Sequence, residues 1–156
     1  MLPARAFAHV HRQQDLLARR AHFSAELRNK LKQRGFEPEE IGQALLRLES
    51  QGYLDDEQTA ALWVKQQLAK KPQGTRRLLS GLRDRGIDSE LASRTVDEAL
   101  IDGEQATAWQ AAERKMARSG KVDEKALARH LDRLGFGAAT VMRTLERARA
   151  VDAEGS

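Results

Sequence analysis

A chain of 156 residues has room for one ordinary domain, and with 40% hydrophobic residues it can supply helices with an apolar face but not a large core. Charged residues make up 32%, aromatics only 4%, and there are three prolines, a mixture that suits solvated helices far better than half-buried strands, so an all-α protein is expected. The absence of cysteine excludes disulfide frameworks, Cys-ligated zinc and thiol catalysis, while a net charge of +4 is mildly basic.

In chain order, the opening Met1-Leu2-Pro3-Ala4-Arg5 lacks the continuous apolar core of a signal peptide, and no later stretch approaches the roughly 20 apolar residues that span a membrane. A soluble, cytoplasmic protein is expected. An Ala-rich helix is predicted at about 9–21. Ser24 then stands where it can cap a second helix carrying Leu27 and Leu31 on one face and stopping at Gly35-Phe36. Glu37-Pro38-Glu39-Glu40 opens a third helix with apolar positions Ile41, Leu45 and Leu48; proline there loses no needed N–H, and the carboxylates face the positive end of the helix dipole. The junction Gly52-Tyr53-Leu54 leads to a helix at about 56–70, with Asp56 as its expected cap and Tyr53 expected to dock the loop.

The next elements repeat the first. Thr75 is expected to cap a helix with Leu78 and Leu82 that stops at Gly86-Ile87, and Asp88-Ser89-Glu90 opens one with Ala92, Val96 and Ala99. A helix at about 103–118, capped by Asp102, precedes Asp123, Leu127, Leu131 and the stop Gly135-Phe136, and Val141, Leu145 and Ala148 mark the last helix. The paired leucines and their glycine recur at offsets of 51 and 49 residues. A period of this length is the signature of a repeat architecture. Each repeat is three helices: 1–52, 53–101 and 102–150, with 151–156 expected as a disordered tail. Units of about 50 residues bury too little surface alone, so stacking into an elongated, curved array is expected, a shape suited to an extended partner.

Catalysis needs convergent groups, and the chain offers no phosphate loop with its lysine, no HExxH, no GxSxG and no dinucleotide fingerprint. Among His9, His11, His22 and His130, only His9 and His11 are close in sequence, with no carboxylate cluster beside them, so neither a metal nor a cofactor is expected and no residue is assigned to catalysis. Asp55-Asp56-Glu57 reads as helix capping. Aligned on the repeat glycine, Trp63 stands opposite Ala112 and Ala60 opposite Trp109, a large-for-small exchange that points to packing rather than base stacking. What remains is charge. Between 65 and 85 stand seven cations, Lys65, Lys70, Lys71, Arg76, Arg77, Arg83 and Arg85, against the single anion Asp84. This patch is the expected partner-binding surface, able to meet phosphates or carboxylates, since Arg pairs with both; Arg19-Arg20, Arg28 and Arg34 form a weaker basic region.

Three stretches resemble one known family. Arg20-Ala21-His22-Phe23-Ser24-Ala25-Glu26-Leu27-Arg28-Asn29-Lys30-Leu31 with Gly35-Phe36, then Gly52-Tyr53-Leu54-Asp55-Asp56 with Ala60, then Gly74-Thr75-Arg76-Arg77 through Leu82 and Arg85-Gly86-Ile87 are similar to the RecX family of RecA modulators. Thr59 departs from the pattern, standing where the family often has an aromatic. The resemblance implies a non-enzymatic regulator that lies in the helical groove of the RecA filament on single-stranded DNA. It would act there, as a monomer, chiefly to inhibit ATP hydrolysis, strand exchange and the coprotease activity behind the SOS response. A helical-repeat module that binds DNA directly is the alternative reading of the same basic patch, and its affinity would fall steeply with salt.

Overall fold

The computed structural model describes residues 5–9 and 22–155, and all regular structure among them is helical. Residues 5–9 belong to α1; the expected helix at 9–21 otherwise lies outside the described residues, as do Arg19, Arg20 and His11. The chain continues as α2 (Ser24–Gln33), α3 (Pro38–Ser50), α4 (Asp56–Lys70), α5 (Thr75–Asp84), α6 (Ser89–Ala99), α7 (Glu104–Ser119), α8 (Glu124–Arg133) and α9 (Ala138–Glu154). It packs as two compact units, Met1–Ala60 with Asp84–Ile87, and Ala61–Arg83 with Asp88–Ser156, so α4 begins in the first unit and ends in the second.

The leucine pairs are the core of each repeat: Leu27, Leu31, Leu78, Leu82, Leu127 and Leu131 are all buried. In the first unit, Leu27 and Leu31 of α2 pack with Ile41, Ala44, Leu45 and Leu48 of α3, joined by Ala6 and Leu54. In the second, α7, α8 and α9 pack against one another around Trp109, Leu127, Leu131, Phe136 and Leu145. Alanines at 108, 111, 112 and 148 are buried there too, and their small size lets the indole of Trp109 fill the space between helices. Trp109 thus packs in the core, with the Arg147 guanidinium 3.9 Å from its ring centre. Trp63 is half-buried, its ring lying so close over Gly81 that a Cβ there would collide with it.

Each of the three repeat glycines has a left-handed backbone, φ +85° at Gly35, +82° at Gly86 and +88° at Gly135. After α2 and α8 the following N–H folds back five residues, Phe36 to Leu31 O and Phe136 to Leu131 O, both at 3.2 Å, which closes the helix end as the sequence implied.

Several expectations are corrected. Ser24 and Thr75 do not cap with their hydroxyls. The Ser24 N–H donates to Asp56 Oδ1 at 2.9 Å and the Thr75 N–H to Glu104 Oε1 at 2.8 Å, so the first residue of a later helix, α4 or α7, supplies the cap as a carboxylate. A carboxylate at a helix N-terminus also meets the positive end of the dipole, which a hydroxyl does not exploit. At α8 the expected local cap forms: Asp123 accepts from the Ala126 N–H at 3.1 Å. With Asp56 committed to α2, α4 is capped by Asp55, which accepts from the Gln58 N–H at 3.1 Å. Gly103 rather than Asp102 occupies the cap position of α7. In α6, Ala99 is exposed, and Thr95 takes a buried place by donating its hydroxyl to Leu91 O at 2.7 Å. Tyr53 is 46% exposed while Leu54, at 3%, docks the loop. The stretch expected to be a disordered tail is helical through Glu154, because nothing in Ala150-Val151-Asp152-Ala153 breaks a helix before Gly155.

Candidate partner-binding surface

The motif Gly74-Thr75-Arg76-Arg77 turns out to be an internal joint as well as a source of charge. Within the second unit the α4–α5 linker lies along the α8–α9 turn, the Gly74 N–H donating to Leu134 O at 2.7 Å and the Arg76 N–H to Gly135 O at 3.1 Å. Backbone approaches backbone so closely that a side chain at Gly74 would strike Gly135 and Phe136, and one at Gly135 would strike Arg77. Glycine is required on both sides of this joint by space, and at Gly135 by its positive φ as well. Glu104 completes the joint. Besides the Thr75 N–H, it accepts from the Gly137 N–H at 3.2 Å and the Thr140 hydroxyl at 2.7 Å, so one half-buried carboxylate serves the first turns of both α5 and α9.

This geometry sorts the expected binding residues. Arg76 Nη2 donates to Asp132 Oδ1 at 2.7 Å, to Phe136 O at 3.0 Å and to Asp132 O at 3.3 Å, so its guanidinium neutralises the carbonyl end of α8 although its side chain is 58% exposed. Arg77 Nη1 reaches Arg133 O at 3.4 Å. In the first unit, Arg85 Nε stands 4.0 Å from Glu26 Oε1. Lys65, Lys70, Lys71 and Arg83 are exposed and, among the described residues, form no ion pair. Lys65, Lys70, Lys71 and Arg83 therefore present charge with no internal duty, whereas Arg76 is partly spent on holding the joint.

A further group of cations escaped the sequence reading because it is assembled from three separate segments. His130 of α8 is half-buried, and its ionisation is pushed below the ordinary imidazole value first by burial and then by Lys115, Arg133, Arg118 and Lys71. The signal available in sequence was the spacing of Lys115 with Arg118 and of His130 with Arg133, each pair three apart on one helix face. Nothing local indicated that the two faces and Lys71 would converge. Elsewhere, Arg149 holds the Glu124 carboxyl below its usual value through hydrogen bonds of 2.7 and 2.6 Å, an exposed pair that ties α9 to the start of α8.

Among the described residues no three His, Cys, Asp or Glu side chains gather as metal ligands do, and no helix is long and apolar enough to cross a membrane.

Fold and surface together define an all-helical protein of tandem three-helix repeats that presents cations outward and is held by a backbone joint and borrowed caps. Residues 14–48 match the family model described as RecX, first three-helix domain, and residues 55–100 that of RecX, second three-helix domain. The regulatory protein RecX of Amycolatopsis mediterranei is 34% identical over 122 residues, 78% of this chain and 69% of that protein. That of Chlorobaculum tepidum is 33% identical over 135 residues, 84% of this chain and 82% of its own. Among solved structures, the RecX from Lactobacillus salivarius superposes with a TM-score of 0.80 at 14% identity, covering 93% of this chain and 95% of that one. A second regulatory protein RecX gives 0.77 at 19% identity, covering 93% of this chain and 72% of that chain. The chain belongs to the RecX family of regulatory proteins.

Proposed function

We propose that this chain is a non-catalytic, cytoplasmic regulator that binds the RecA filament on single-stranded DNA, in its helical groove, and mainly inhibits ATP hydrolysis, strand exchange and SOS coprotease activity. Membership of the RecX family carries this reading. The exposed cations Lys65, Lys70, Lys71 and Arg83 support it, because they form no ion pair among the described residues and are available to acidic groups or phosphates of a filament. Arg77, exposed in the same unit, adds its charge. Arg76 would contribute less, since displacing it from Asp132 and Phe136 loosens the joint it holds. The same distinction applies to Arg85, already opposite Glu26. In this reading the repeats at 1–52, 53–101 and 102–150 are the structural modules, and the protein acts as a monomer.

Co-sedimentation with RecA filaments formed on single-stranded DNA tests this surface. The variant K65E/K70E/R83E changes only exposed cations, so its helical circular dichroism should match that of the parent, while its retention on filaments should fall by about tenfold or more, as charge reversal opposite an acidic surface does. Equal retention of parent and variant would remove these residues from the contact.

A further inference from the structure

The first repeat stops its helix with the same left-handed glycine as the other two, yet its stop stands open. At the second stop, Gly86 packs against Ala25 on the first turn of α2, and Arg85 Nε stands 4.0 Å from Glu26 Oε1. At the third, Gly135 packs against Arg77 on the first turn of α5, Leu134 O and Gly135 O accept from the Gly74 and Arg76 N–H groups, and Asp132 pairs with Arg76. A helix stop thus meets a helix start twice, for a reciprocal reason: the end of a helix leaves carbonyls without donors, and the beginning of one leaves N–H groups without acceptors. At the first stop no atom lies within 4 Å of a Cβ built on Gly35. Among the described residues, Arg34 O and Gly35 O, the counterparts of Leu134 O and Gly135 O, accept no hydrogen bond. Lys32, Gln33, Arg34 and Gly35 are exposed, and among the described residues neither cation forms an ion pair.

We infer that the turn at 32–35 is a docking face for the first turn of a partner protein's helix, one that carries carboxylates at its second and third positions. Counted from the glycine, Lys32 stands where Asp132 stands, and Asp132 pairs with Arg76, the second residue of α5. Arg34 stands where Arg85 stands, and Arg85 faces Glu26, the third residue of α2. A partner helix seated in the same way sets acids at those two positions opposite Lys32 and Arg34, while its free N–H groups meet Arg34 O and Gly35 O. A row of phosphates would answer the two cations but brings no donor to the carbonyls; the start of an acidic helix supplies both. A second copy of this chain fits less well. Its equivalent helix start, on α8, has Lys125 and Ala126 at the two positions, so Lys32 would meet a like charge. The contact uses none of the cations between 65 and 85 and does not rest on the RecA reading.

The test is an NMR titration of the full chain, without RecA or DNA, using an alanine-based helical peptide of about 20 residues with Asp as its cap and Glu at its second and third helical positions. The amide resonances of Lys32, Arg34, Gly35 and Phe36 should shift, while those at 85–87 and 134–136, whose turns are already seated on α2 and α5, should stay in place. A peptide with Gln at both positions should bind about fivefold more weakly at low salt, the scale expected for two exposed ion pairs. The variant K32A/R34A should lose a similar factor toward the Glu peptide and keep the helical circular dichroism of the parent. Unmoved resonances at 32–36, equal affinity for the two peptides, or shifts confined to residues between 65 and 85 would each overturn the inference. Equal shifts on adding inorganic phosphate would do so as well, making the turn a plain anion site. Shifts at 32–36 that grow with protein concentration before peptide is added would replace the partner helix by a second copy. Because no RecA is present, failure here leaves the RecA reading standing.

Discussion

Changing Gly135 to Ala should destabilise the protein by about 3 kcal/mol or more, lowering Tm by roughly 10 °C, whereas the same change at Gly35 should cost only about 1–2 kcal/mol. The two glycines terminate equivalent helices with nearly the same backbone, φ +88° and +85°, so the strain of placing a Cβ on a left-handed residue is common to both. Their surroundings differ. Around Gly35 nothing lies within 4 Å of the added Cβ, while at Gly135 it would fall 2.5 Å from Arg77 N and Arg77 Cβ. Those are main-chain and first side-chain atoms, which cannot rotate away, so the α4–α5 linker would have to retreat and stretch the bonds from Gly74 to Leu134 O and from Arg76 to Gly135 O. Equal losses at the two positions, measured by urea denaturation, would mean that the joint contributes nothing beyond the turn itself.

Replacing Glu104 by Ala should cost about 2–3 kcal/mol, because three half-buried donors lose their acceptor together: the Thr75 N–H, the Gly137 N–H and the Thr140 hydroxyl. Partial exposure lets water take up some of the loss, which keeps the effect below the sum of three separate bonds. Glu104 to Gln should fall between, since one amide oxygen can still accept but the amide nitrogen cannot. A loss under about 0.5 kcal/mol for the Ala variant would contradict the clamp, as it is what an ordinary exposed glutamate gives.

These two residues show where sequence reading succeeds and where it stops. Gly135 was legible as a helix stop, because two leucines four apart followed by glycine and an apolar residue encode the turn locally, and α4 was legible to its expected limits of 56–70. What Gly135 touches was not legible, nor was the cap that Glu104 supplies, because these depend on which turn meets which helix across 29 to 60 residues of chain. Ser24 and Thr75 were read as caps from their own chemistry, and a better acceptor arriving from the next repeat displaced that role. Charge was legible in the same limited sense. The run from Lys65 to Arg85 was visible as composition, but only the fold divides it into cations left exposed, an arginine tied to Asp132 and one facing Glu26. The cluster around His130 was invisible, since Lys71, Lys115, Arg118 and Arg133 are brought together by packing alone.

The central claim, that the chain acts on RecA filaments, is tested most directly by the single-stranded-DNA-dependent ATPase of the cognate RecA. It would be titrated with this protein while DNA is held in excess. Inhibition at protein concentrations well below that of DNA sites is the predicted result, because a regulator seated on the filament acts without having to occupy the DNA. Inhibition appearing only as the DNA approaches saturation, in step with binding to RecA-free DNA, would contradict it and make competition for DNA the mode of action.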